Sequence, residues 1–422
     1  MSSQLSSFQN STPKLLGRKR SPTERIVPSE EESSSGSEES VVAMVKEMDT
    51  ETTEARDKLI YECRLLLERD ESNTLNKEFH RRYLDSPFSH PLPPGMVALD
   101  ASAPWLLYWI ANGLRTMNQS WLKTETQYRI QEKVFRVNPH GGPFGGGLGQ
   151  LPHLAGTYAI VNALAICDNV EGCWDKINRT SIYDWLLSLK REDGGFQTCL
   201  GVGEYDTRGI YCAISIASML GLLTQELCEN VVEFLIHCQN YEGGFGGVPH
   251  EDEAHGGYTF CAVASLAILG ALDRIDVEKL TDWCSQRQYN DEKGLSGRSN
   301  KLVDVCYSFW VGGTAAILEA YGYGNCINKA ELKEYILKCC QMETRPGIRD
   351  KPGTRPDFYH TNYGLLGVAI TENSFQLDPR VSNSLKIDSF IINPIDNSVL
   401  EPINPVYGLP SSDLEKFYKH FK

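Results

Sequence analysis

The sequence lacks any long hydrophobic run: its longest stretch of small apolar residues, Cys261 to Leu272, has 12 residues, against roughly 18 or more needed to cross a bilayer. A membrane anchor is therefore not expected, and that stretch reads as a core helix. An apolar leader is also missing, since the chain opens MSSQLSSFQNS, so no secretory signal is expected. Basic charge is short: 41 Lys and Arg against 55 Asp and Glu leave a net charge of −14, which disfavours binding nucleic acid through its phosphates. Cysteine is present, but its 13 residues are an odd number without regular spacing, so a reducing cytoplasmic compartment without structural disulfides is expected. GGPFGGGLG resembles a phosphate loop yet lacks the Gly-Lys-Ser/Thr that completes one.

What is present is a soluble, globular composition with 36 glycines that recur in pattern. Residues 1–49 are rich in Ser and Glu without periodic apolar positions and read as a disordered tail. Within it Arg18-Lys19-Arg20 reads as a solvated charge run, with a nuclear address as the alternative. Residues 50–422 read as one repetitive unit. A glycine element recurs at Phe144, Phe196, Phe245, Leu295 and Ile348, spaced by 52, 49, 50 and 53 residues. Each is preceded by an amphipathic run such as ENVVEFLIHCQN and followed, after a polar loop, by a run of small and aliphatic residues such as CAVASLAIL. The first run has one polar face and suits an outer position, whereas the second is apolar nearly all round and suits burial. Residues 104–114, PWLLYWIANGL, add a further inner helix without its glycine element. Six helix pairs suit an all-α closed α/α barrel with inner and outer rings.

In such a ring the polar residues just before the inner helices face a cavity mouth. GEYDTRGIY, EAHGGYTF, GRSNKLVDVCYSFW and RPDFYHTNY occupy those places. Asp304, Cys306 and His360 supply a carboxylate, a thiolate and an imidazole, the ligand set of a zinc site with an open fourth position. The plain alternative is a packed cysteine, a helix-capping aspartate and a hydrogen-bonded core histidine. The repeat favours the metal, because equivalent places in adjacent units are neighbours in space. Arg208, His255, Arg298, Lys301 and Tyr307 would converge on the same rim as donors for phosphate. Aromatics at Trp105, Trp109, Tyr158, Tyr211, Trp310 and Tyr363 would line an apolar tunnel. Tunnel, cationic rim and open zinc site together suit transfer of an allylic group from a diphosphate to a thiol.

GGGLGQLPHLAGTYA, EAHGGYTFCA, GRSNKLVDVCYSFW, RDKPGTRPDFYHT and the C-terminal NPVYGLP strongly resemble the β subunits of the protein farnesyltransferase family, particularly the fungal ones. The resemblance runs from about Thr50 to near the C-terminus. It implies an α/α barrel that pairs with an all-helical α subunit and transfers farnesyl from farnesyl diphosphate to the cysteine of C-terminal C-a-a-X proteins. It also implies that Asp304, Cys306 and His360 hold one zinc ion, that His255, Arg298, Lys301 and Tyr307 bind diphosphate, and that Trp105, Trp109 and Tyr359 take the C-a-a-X side chains. His153, Glu204 and Arg208 would lie near the peptide carboxylate, with Tyr258, Tyr158 and Trp310 also against substrate, and Asp350 would assist magnesium on the diphosphate. Val305 stands where the farnesyltransferase pattern has glycine, as in Rab-type relatives, so a geranylgeranyl-transferring relative is the alternative. The resemblance associates the RDKPG...DFYHT segment and bulky residues at Trp105 and Tyr158 with the shorter, farnesyl chain. A helical terpene cyclase would share the barrel, but neither Asp-x-Asp-Asp nor Asp-Asp-x-x-Asp occurs.

Overall fold

The computed structural model describes residues 50–70, 73–379, 387–395 and 398–422. The expected tail, with Arg18-Lys19-Arg20, lies outside the described residues. The chain begins with α1 (Glu51–Leu67), whose Thr50 forms a capping box with Thr53, and then alternates outer and inner helices. The outer members are α2 (Lys77–Ser89), α4 (Thr124–Val137), α6 (Arg179–Leu189), the pair α8 (Gln225–Cys228) and α9 (Val231–Ile236), α11 (Val277–Ser285) and α13 (Lys329–Glu334). The inner members are α3 (Ala103–Met117), α5 (Leu154–Ala165), α7 (Thr207–Met219), α10 (Gly256–Ile268), α12 (Tyr307–Ala320) and α14 (Phe358–Thr371).

The division follows from patterning. In α4 the buried Gln127, Ile130, Gln131 and Val134 form a single stripe, whereas α5 and α10 bury nearly every residue. Each inner helix packs against the next, and α14 packs against α3, so the ring closes. The fold is thus an all-α barrel of six inner helices among the described residues, as the repeat predicts. Between units the chain makes a tight reversal: Lys190 bridges Phe196, Gln239 bridges Phe245, Gln288 bridges Leu295 and Gln341 bridges Ile348. Gly194, Gly243 and Gly347 hold the left-handed backbone there, at φ +96°, +100° and +95°.

Two features differ from expectation. The core helix expected over Cys261–Leu272 stops at Ile268, because Gly270 at φ +66° turns the chain, leaving Leu272 buried on a short 3₁₀ turn. Among the described residues three small antiparallel strand pairs also occur outside the ring: β1 (Gln197–Cys199) with β2 (Val202–Tyr205), β3 (Asn373–Leu377) with β4 (Phe390–Pro394), and β5 (Ile403–Asn404) with β6 (Leu409–Pro410). Their strands are too short for periodicity to reveal. The last helix, α15 (Ser411–Phe421), packs on α5 and α7. All 13 cysteines are free thiols.

Candidate active site and metal centre

The six inner helices run in parallel, so their N-termini share one mouth, and side chains there cap four of them. His153 caps α5, Asp206 caps α7, His255 caps α10 and Asp357 caps α14, each accepting a backbone N–H. The capping role and a substrate role are compatible in the histidines. His255 Nδ1 accepts from Gly257 N at 3.0 Å, which leaves Nε2 for Tyr307 Oη, 3.1 Å away. Tyr307 reaches that place only because residue 297 is glycine, since a Cβ there would lie 2.1 Å from the tyrosine ring. Burial, then the nearby Arg298 and Arg208, push His255 down to about 3, so it is neutral.

Inside the mouth is a cavity of about 410 Å³, walled by Trp105, Trp109, Tyr158, Tyr211, Trp310, Tyr359 and Tyr363. Its polar end carries His153, Glu204, Asp206 and Arg208. The six aromatics expected at a cavity wall all lie in this one, and neighbouring rings are close: Trp105 lies 5.7 Å from Tyr158, and Tyr158 lies 5.5 Å from Tyr211. Arg208 is held by Asp206 at 2.6 Å and Glu204 at 3.3 Å, and its guanidinium sits 5.3 Å over the Tyr258 ring. Tyr258 in turn is 5.5 Å from His255.

The expected cationic rim is only partly assembled. Arg298 is close enough to influence His255 and Tyr307, but its guanidinium bonds Glu253. Lys301 is exposed on the same loop, held there through its backbone N–H to Arg298. The Asp350 carboxylate is engaged by Lys351 and by the Thr354 hydroxyl.

Asp304, Cys306 and His360 do come together. Their ligand atoms all lie within 4.8 Å of one another, the one such cluster among the described residues. Asp304 Oδ1 is 3.4 Å from His360 Nε2 and also accepts the Cys306 N–H at 2.8 Å. His360 Nδ1 meets Asp357 Oδ2 at 2.7 Å, which turns Nε2 toward the other two ligands. Although burial opposes both charges, Asp304 and His360 stabilise each other, holding the carboxyl at about 2 and raising the imidazole to about 10. Burial, reinforced by Asp304, pushes the Cys306 thiol well up. A soft thiol beside imidazole and carboxylate suits zinc, whereas calcium and magnesium take oxygen ligands. The three do not line the cavity wall; Tyr359 stands between, in the wall, 3.0 Å from Trp310 Nε1 through its hydroxyl.

Sequence reasoning missed Asp357 as a partner of His360 and Lys351 as a cation beside Asp304. Asp357 had a readable signal, because a capping residue and the residue three further on lie together at a helix start.

A model of the prenyltransferase alpha-alpha toroid domain matches residues 75–409. The protein farnesyltransferase subunit beta of Saccharomyces cerevisiae is 57% identical over 412 residues, covering 97% of this chain and 94% of that protein. The chain belongs to the family of protein farnesyltransferase β subunits. The Schizosaccharomyces pombe member is 39% identical over 361 residues, covering 83% of this chain and 92% of its own length. Among solved structures, Candida albicans protein geranylgeranyltransferase-I complexed with GGPP matches with a TM-score of 0.66 at 21% identity, over 83% of this chain and 100% of that one, a likeness of fold. As a farnesyltransferase β subunit the chain is part of a prenyl-transferring enzyme, and the aromatic cavity and three-ligand cluster are its candidate chemistry.

Proposed function

We propose that this chain is the catalytic β subunit of a cytoplasmic, zinc-dependent protein farnesyltransferase, which moves farnesyl from farnesyl diphosphate to the cysteine of C-a-a-X proteins in a heterodimer with an α subunit. One observation carries the reading: a thiol, an imidazole and a carboxylate within 4.8 Å, one tyrosine ring away from an aromatic cavity. Asp304, Cys306 and His360 would hold zinc, which when bound makes an incoming thiol a thiolate near neutral pH.

The other roles belong to the chain's own residues. The aromatic walls hold the isoprenoid and keep water from the reacting carbon. His255, neutral with Nδ1 capping its helix, donates from Nε2 to Tyr307 Oη. The tyrosine's own proton is thereby free to face the departing diphosphate, with Arg298 nearby for charge. Lys301, exposed on that loop, would reach the diphosphate only by swinging inward. On the peptide side, Trp105, Trp109 and Tyr359 form apolar surface, while Arg208, held rigid by Asp206 and Glu204, faces the terminal carboxylate with His153. Asp350, with its carboxylate already on Lys351 and Thr354, would have to release them before it could assist a magnesium ion.

Exposed Val97, Leu148 and Leu151, on segments that border the cavity, suit burial by the α subunit. No helix among the described residues is long and apolar enough to cross a membrane. Contact between Trp105 and Tyr158 supports farnesyl over the longer geranylgeranyl chain.

The test is co-expression with an α-type subunit, then transfer to a C-a-a-X peptide from farnesyl and geranylgeranyl diphosphates. We expect farnesyl transfer with one zinc per heterodimer. Cys306→Ala and His360→Ala should lose zinc and turnover while binding farnesyl diphosphate within a fewfold of wild type. Full zinc content in both variants would sink the assignment.

A further inference from the structure

Three consecutive backbone N–H groups fix the segment that carries two of the three proposed ligands. Asp304 N donates to Leu295 O at 3.0 Å, within its own repeat. Cys306 N donates to the Asp304 carboxylate at 2.8 Å, also locally. Val305 N, between them, donates at 2.8 Å to Asp350 O, in the following repeat. The Asp350 carbonyl therefore ties the Asp304–Cys306 pair to the unit that supplies His360. Ile348, two residues before Asp350, is bridged to Asp357, the residue that orients His360.

That carbonyl oxygen has two further donors, both from the outer ring. Tyr335 Oη approaches it at 3.1 Å and Cys340 Sγ at 3.6 Å. Both lie on a π-helical turn, Tyr335–Cys340, that continues α13. The i→i+5 bonding of a π-turn brings residues five apart to one face. An α-helix, at 3.6 residues per turn, would set them about 140° apart. The Tyr335 ring is fully buried and is packed against the glycine turn of the preceding repeat, where a Cβ on Gly294 would lie 2.8 Å from it. With the ring so confined, its hydroxyl has a fixed aim.

We propose that Tyr335 is a positioning residue for the metal centre: its hydroxyl holds the Asp350 carbonyl, which through the Val305 N–H sets the separation between Asp304–Cys306 and His360. The inference rests on the metal-site reading above. It makes the π-turn part of the active-site scaffold, although Tyr335 touches neither ligand nor cavity.

The experiment is zinc affinity by chelator competition on the full chain purified with its α-type partner. Wild type is compared with Tyr335→Phe and with Tyr407→Phe, which removes another buried tyrosyl hydroxyl, bonded to Ser218 at 2.7 Å. Tyr335→Phe keeps the ring, and the Asp350 carbonyl keeps its Val305 partner, so the chain should fold. We expect a loss of zinc affinity on the order of tenfold, the scale of outer-shell effects, with farnesyl diphosphate affinity within twofold of wild type. Tyr407→Phe should leave zinc affinity unchanged whatever it does to the melting temperature. Unchanged zinc affinity in Tyr335→Phe, or an equal loss in Tyr407→Phe, overturns the proposal while leaving the metal site standing. Wild-type protein that takes up no zinc overturns the metal-site reading, and this inference with it.

Discussion

His255 shows how one side chain can cap a helix and still hold a neighbour at the mouth of the candidate site. Its Nδ1 caps α10, and its Nε2 meets Tyr307. Because burial, with Arg298 and Arg208, lowers it to about 3, the native state stays unprotonated while the unfolded chain binds a proton below about pH 6.5. The unfolded state then binds more protons, so stability falls as pH drops from about 6.5 toward 3. Integrated from pH 7 to pH 5, this one group removes roughly 2 kcal/mol. His255→Gln lacks that proton uptake. Urea unfolding of both proteins should show the wild-type advantage at pH 7 shrinking by about that amount at pH 5. A constant gap would mean that the imidazole titrates normally in the fold.

At the scale of the element, the repeat is held by a latch that periodicity does not show. Thr157, Thr259 and Thr361, one turn into α5, α10 and α14, accept from the N–H of Phe144, Phe245 and Ile348 at 3.1, 3.0 and 2.9 Å. Each joins the glycine turn to the inner helix of its own unit. Thr259→Val keeps the volume but strands the buried Phe245 N–H, which should cost about 1–3 kcal/mol by denaturant unfolding. Thr259→Ser, which keeps the hydroxyl, should cost less than half of that, and equal losses would show that packing and not the bond is responsible. The helix pairs were legible because apolar spacing and glycine punctuation are local properties. The latch was not, since a threonine in an apolar run reads as a core residue until the turn is folded back upon it.

For the whole molecule, the decisive contact is α14 against α3, which closes the ring between parts of the chain some 250 residues apart, as in the bond from Asn112 Nδ2 to Asn362 Oδ1. The C-terminal segment then covers the end of the ring opposite the mouth. Val406 O accepts from Tyr211 Oη at 2.7 Å, and Gly408 O accepts from Asn112 at 2.9 Å. Arg115, in the last turn of α3, grips Asp413 of α15 with two bonds of 2.9 Å and also reaches Asp168 at 2.5 Å. Arg115 is 4% exposed, and Asp413→Ala would leave its buried charge half-compensated, at a cost of about 3 kcal/mol in thermal or urea unfolding. The paired change Arg115→Met with Asp413→Leu should recover most of that, because it removes both charges. A double variant as unstable as the single one would show that the pair contributes more than mutual neutralisation.

By itself the sequence determined the helix-pair unit, the places where it turns, the burial of the inner helices and which three residues, Asp304, Cys306 and His360, come together as the candidate metal cluster. Each is encoded by spacing along the chain: a period of 3.6 for the helices, about 50 for the repeat, and equivalent positions in adjacent units for Asp304, Cys306 and His360. Only the tertiary structure decided what braces those residues. Lys351 beside Asp304, the Asp350 carbonyl on Val305, Tyr335 behind it and the C-terminal segment across the ring are all set by distances between segments remote in sequence or facing away from it. The physical reason is that periodicity reports which face of an element is buried, whereas hydrogen bonds of about 3 Å depend on where two backbones come to rest against each other.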